Sequence, residues 1–163
     1  MSKLVILCVE DEVEVRNALA RDIEPFAQVC RIEEAEDSED AREAVAQLLG
    51  AGEELALVLC DHMLPGESGV SFLVSLNTDD RTRTARKVLV TGQAGLEDTV
   101  RAVNEASLDH YIAKPWAKEA LQNVVRTQLT NYVIEHADDL LPFVSTLDGS
   151  RLLEAMKERS QHE

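Results

Sequence analysis

Leu4-Val5-Ile6-Leu7-Cys8-Val9, running directly into Glu10-Asp11-Glu12, is the stretch that decides the fold. An unbroken apolar run of this length is too short for a core helix, and its lack of alternation describes a strand buried on both faces. The sudden change to three acids marks where that strand leaves the core. Working outward, the strand candidates are Lys3–Val9, Val29–Glu33, Leu55–Cys60, Lys87–Thr91 and Asp109–Ala113. The first, third and fourth are continuously apolar. Between and after them lie helical patterns at Val13–Phe26, Ser38–Gly50, Val70–Leu76, Leu96–Ala106 and Ala117–Ala137. In the first of these Val13, Leu19, Ala20 and Ile23 supply an apolar stripe. Ser38 reads as the N-cap of the second, with Glu39 and Asp40 in its first turn. Repeated strand-then-helix order predicts an α/β fold, a parallel sheet covered on both faces through right-handed crossovers.

The chain has 163 residues, 16 basic and 31 acidic, for a formal charge of −15. That is one domain plus a little extra chain, large enough to bury about 70% of its unfolded surface without a disulfide or metal staple. The acid excess argues against nucleic acid and anionic membrane as partners, and leaves cationic ones open. The run Leu4–Val9 is far short of a bilayer span and starts too abruptly for a signal peptide, so the expected location is cytoplasmic. Cys8, Cys30 and Cys60 lie in apolar runs without CxxC spacing, which favours buried thiols over a disulfide framework or zinc. Seven acids and one arginine between Glu33 and Glu43 read as a solvated helix start.

In an open parallel sheet, ligands bind beyond the carboxyl ends of the strands. Those ends carry Glu10-Asp11-Glu12, Asp61, Thr91-Gly92 and Lys114-Pro115. Carboxylates, a hydroxyl and an ammonium on one rim suit a Mg²⁺ ion with a nucleophile, Lys114 and Thr91 completing a clamp for phosphoryl oxygens. Aspartate is a known phosphoryl acceptor. Each residue also has a local reading: the acids as complements to a helix dipole, Asp61 as a loop opener, Thr91 as a strand end, Lys114 as a surface charge. Their coincidence at successive strand ends favours the shared site.

As a set, Glu10-Asp11, Asp61-His62-Met63-Leu64-Pro65-Gly66-Glu67-Ser68-Gly69, Thr91-Gly92 and Tyr111-Ile112-Ala113-Lys114-Pro115 resemble the receiver domain of two-component response regulators over about residues 3 to 126. The resemblance implies a flavodoxin-like doubly wound sheet of order 2-1-3-4-5. It implies Asp61 as phosphoacceptor from a phosphohistidine on a sensor histidine kinase or phosphotransfer protein. Asp11, Asp61 and the Met63 backbone carbonyl would ligate Mg²⁺, with Glu10 acting through water. Lys114 would pair with the acyl phosphate, Thr91 would move toward it, Tyr111 would be the switch aromatic, and Lys114-Pro115 would be a cis bond. Met63 and Gln93 would tune access of water to the phosphorus; apolar Met63 implies slow to moderate dephosphorylation.

Residues 1–126 then form the receiver and 127–163 a tail, the fifth helix running on through Leu129, Tyr132 and Val133 before a short helix at Arg151–Arg159. The tail is too short for an ordinary DNA-binding output and lacks a basic patch. Its Leu140, Leu141, Phe143, Val144, Leu147, Leu152, Leu153 and Met156 predict a partner, with a homodimer through 117–160 preferred over packing back on the domain or docking to a downstream protein. Two other readings stay open: the receiver part of a longer protein, and an aspartate-nucleophile phosphatase on a similar fold. The phosphatase is disfavoured because Asp11 is followed two residues on by Val13 rather than a second aspartate. A flavodoxin-like FMN binder is disfavoured because its phosphate loop would carry three acids.

Overall fold

The computed structural model describes residues 3–92 and 95–162. Five parallel strands, β1 (Leu4–Val9), β2 (Cys30–Ala35), β3 (Glu54–Cys60), β4 (Arg86–Thr91) and β5 (His110–Ala113), form one sheet of order β2-β1-β3-β4-β5. The helices are α1 (Val13–Asp22), α2 (Ser38–Gly50), α3 (Gly69–Asn77), α4 (Leu96–Glu105), α5 (Lys118–His136) and α6 (Gly149–Gln161). Every β1 residue is buried, as its unbroken apolar run requires. In register Val9 lies beside Cys60, so the strands end level and Glu10 and Asp61 leave the sheet side by side. Because side chains alternate, Ile6 and Cys8 face α1 and α5, whereas Val5, Leu7 and Val9 face α2 and α3.

Local chemistry shifts several expected boundaries. Instead of continuing to Phe26, α1 stops at Asp22 and a 3-10 turn spans Glu24–Gln28, because Pro25 cannot donate in a helix interior. Val13 is exposed, so the buried stripe is carried by Leu19, Ile23 and Phe26. Asp37, not Ser38, caps α2: its carboxylate accepts from Asp40 N–H at 2.7 Å. The Ser38 hydroxyl instead donates to the Glu67 carbonyl at 3.2 Å, tying α2 to the loop after β3.

The tail corrects the expectation of a projecting apolar segment. Leu140, Phe143, Leu147 and Leu152 are buried in the same core as Leu129, Tyr132 and Val133 of α5. Arg159 of α6 donates to the Ile134 carbonyl at 2.8 Å and the Ala137 carbonyl at 3.0 Å, which satisfies acceptors that the end of α5 leaves open. Of the apolar tail residues, only Leu141 and Leu153 are exposed. Most of the apolar density from which a homodimer was inferred packs inside the chain, against Leu129, Tyr132 and Val133 of α5.

Cys8, Cys30 and Cys60 are free and buried. Burial raises all three thiols, Cys30 to about 12. Lys87 moves the opposite way: 1% exposed, its ammonium donates to the Arg83 and Ala85 carbonyls, and burial lowers it to about 8. The unfolded chain releases thiol protons near pH 9 while the folded protein keeps them, so these thiols remove stability as pH rises above 9. Lys87 adds stability between about 8 and 10.5, where only the unfolded chain keeps its proton. Each such proton is worth about 1.4 kcal/mol per pH unit, and three thiols outweigh one lysine. Urea midpoints should therefore fall from pH 9 to 10; midpoints that hold or rise across that interval would refute the balance.

Candidate functional site

The pocket lies at the carboxyl ends of β1, β3, β4 and β5. Glu10 and Asp61 are only 2% and 6% exposed, whereas Asp11 is exposed. One carboxylate oxygen from each of these three residues can be chosen so that all lie within 4.8 Å of one another. A set of hard oxygen donors with an open side suits a small divalent cation such as Mg²⁺, which keeps waters and takes few protein ligands.

Lys114 reaches the same point from the end of β5. Its ammonium donates to Asp61 Oδ2 at 3.0 Å and also to Glu10 Oε1. Burial opposes charge on Lys114, yet its bonds to the two carboxylates raise it overall. Burial raises the Glu10 carboxyl, against the pull of Lys114 and of the Glu12 N–H, and the nearby Asp61 charge adds a smaller push in the same direction. The Lys114-Pro115 peptide is cis.

Backbone groups hold the acids in place. Glu12 N–H donates to Glu10 Oε2 at 3.1 Å, and Met63 N–H to Asp61 Oδ1 at 3.3 Å. The loop after Asp61 is tight: Leu64 and Gly69 N–H groups both donate to the His62 carbonyl, at 3.0 and 2.9 Å. Gly66 sits at φ +78°, where a side chain is disfavoured. Met63 is 55% exposed at the mouth of the pocket.

Thr91 ends β4 and is buried. The Tyr111 hydroxyl donates to the Thr91 backbone carbonyl at 3.2 Å, which joins the two residues that the resemblance would pair as a switch. Gln93 lies outside the described residues. Glu10, Asp11, Asp61 and Lys114 thus meet beyond the ends of their strands, while Thr91 ends β4 opposite Ala113 and Tyr111, inside β5, is linked to it through the Thr91 carbonyl. Sequence reading missed Gly69 as a packing requirement and a contact between His62 and Asp98; nothing local to Asp98 signals that the two meet.

Residues 6–126 match the response regulator receiver domain. The chain is 36% identical over 118 residues to the phosphate regulon transcriptional regulatory protein PhoB of Escherichia coli (strain K12), covering 71% of this chain and 47% of PhoB. With the hydrogenase transcriptional regulatory protein HoxA of Cupriavidus necator it shares 32% over 121 residues, 74% of this chain and 23% of HoxA. It thus spans less than half the length of these relatives. A CheY-like response regulator receiver domain protein from Methanospirillum hungatei JF-1 superposes with a TM-score of 0.70 at 25% identity, covering 83% of this chain and all of that one (100%). The signal receiver domain of an HD domain-containing protein from Pseudomonas fluorescens Pf-5 gives 0.71 at 23%, covering 83% and 93%, and speaks for the fold alone. With a family match across most of its length, five strands in the order 2-1-3-4-5 and an acidic pocket at their carboxyl ends, this chain belongs to the response regulator receiver domain family.

Proposed function

We propose that this protein accepts a phosphoryl group on Asp61 from a histidine kinase or phosphotransfer protein, in a Mg²⁺-dependent reaction, and passes on the change by protein contact. The observation that carries this reading is the placement of a nearly buried Asp61 against both Lys114 and an acidic oxygen cluster. Asp61 is the nucleophile: one carboxylate oxygen attacks phosphorus as the bond to the donor's leaving atom breaks. Asp11, Asp61 and the Met63 carbonyl would hold Mg²⁺, with Glu10 acting through water. When bound, the ion would neutralise charge on the transferring group. Lys114, already bonded to Asp61 Oδ2, is placed to pair with a phosphoryl oxygen. The new group adds about −2 charge and three acceptors, and the Thr91 hydroxyl is the nearby donor able to move toward it. Because Tyr111 is bonded to the Thr91 carbonyl, a shift of Thr91 alters the hold on Tyr111 at the β5 edge.

The test is incubation with acetyl phosphate and intact-mass measurement with and without Mg²⁺. A single phosphoryl adduct is expected only with the metal; an equal adduct in excess EDTA would refute the metal role, and none in either condition the whole reading. Lifetime gives a further prediction. Met63 cannot orient a water, so the acyl phosphate is expected to last minutes or longer, and Met63→Asn to shorten it severalfold. A half-life of seconds, unchanged in the variant, would contradict this.

A second reading is favoured by the lengths of the relatives. PhoB and HoxA are transcriptional regulatory proteins of which this chain matches 47% and 23%, which supports a receiver that works within a longer regulator. In either case residues 127–163 serve as an appendage folded onto the receiver. Sedimentation before and after phosphorylation decides whether a homodimer accompanies signalling.

A further inference from the structure

The helix α4 is held in an unusual way. Its buried residue is Ala102, while Leu96, Val100 and Val103 are 82%, 47% and 53% exposed. Side chains make polar links between this region and the α3 side. His62 Nε2 lies 3.1 Å from Asp98 Oδ2, Arg101 donates to the Ser71 hydroxyl at 3.1 Å, and Asn77 donates to the Glu105 carbonyl at 3.2 Å.

The first link differs from the others in where it leads. His62 directly follows Asp61, its side chain is buried, and its carbonyl accepts the two backbone bonds that close the phosphoacceptor loop. Its Nδ1 is buried without a partner among the described residues, so the Asp98 carboxylate is the ring's polar anchor. A carboxylate only accepts, which assigns the proton in this bond to Nε2.

We propose that the His62–Asp98 contact is a latch: it holds the first turn of α4 to the phosphoacceptor loop in the unphosphorylated state and so limits how readily Asp61 is phosphorylated. This rests on the receiver reading above. Asp98 follows Thr91 by only seven residues, so movement of Thr91 toward a phosphoryl group pulls on the start of α4. With so little apolar surface buried, α4 is positioned by bonds worth about 1 kcal/mol each, and losing one shifts a two-state balance roughly fivefold. His62 is here a positioning residue, acting through α4.

The initial rate of adduct formation from acetyl phosphate, at fixed Mg²⁺, tests this on the intact chain. Asp98→Ala is expected to react about three to ten times faster than wild type. Asp98→Asn, which keeps an oxygen acceptor, should stay within about twofold. Arg101→Ala breaks the neighbouring link without touching the loop and should also stay within twofold. In a His62→Leu background, Asp98→Ala should add nothing. A wild-type adduct with Asp98→Ala no faster, or no faster than Arg101→Ala, overturns the latch alone. Absence of any wild-type adduct overturns the receiver reading and the latch with it.

Discussion

Asp61→Asn is expected to take up no detectable phosphoryl group from acetyl phosphate at any Mg²⁺ concentration, yet to stay folded with a thermal midpoint at or above that of wild type. The two halves have different causes. An amide oxygen is a poor nucleophile and the variant loses a hard anionic donor, so both attack and the proposed metal coordination fail together. Stability moves the other way because Asp61 and Glu10 are two buried acids sharing the Lys114 ammonium, with Asp11 close by. Neutralising one acid relieves like-charge repulsion, and the amide oxygen still accepts from Lys114 or Met63. Intact mass and a melt on the same sample check both. An adduct on the variant would move the acceptor elsewhere; a large fall in the midpoint would mean that Asp61 is structural.

Gly69→Ala is expected to cost about 3 kcal/mol or more, roughly a 10 °C fall in melting temperature for a chain of this size. A Cβ at this position would lie 1.8 Å from the Asp61 carbonyl oxygen and 2.7 Å from its carbon. Neither atom is the end of a flexible side chain, so relief requires the start of α3 to back away from the loop after Asp61. That movement would break the Gly69 N–H bond to the His62 carbonyl, which helps to hold the loop. The requirement is one of space rather than backbone angle, unlike that of Gly66 at φ +78°. Circular dichroism melts give the answer, and a midpoint within 2 °C of wild type would show that the loop can yield.

Most of the sheet was legible because β1, β3 and β4 are buried on both faces, and burial on both faces leaves an uninterrupted apolar run. The edge strands were less clear. β2 reads Cys-Arg-Ile-Glu-Glu-Ala and is only partly buried, so its bounds moved to Cys30–Ala35. The helix ends moved where one side chain decides, at Pro25 and at Asp37.

Each residue of the acidic pocket stands immediately after, or at the end of, a strand whose position in the chain was already plain. Parallel strands that end level bring such residues together, which is why Glu10, Asp11, Asp61, Thr91 and Lys114 could be grouped before any contact was known. The sequence by itself determined the strand order through family resemblance, the rim, and the chemistry the rim offers. Only the tertiary structure decided what depends on distance between helices: the fit of Gly69 against the Asp61 carbonyl, the meeting of His62 with Asp98, and the burial of Leu140, Phe143, Leu147 and Leu152 against α5. The physical reason is that strand ends are aligned by a regular hydrogen-bond ladder. Contacts between helices and tail are set instead by close packing of particular side chains, which no local pattern encodes.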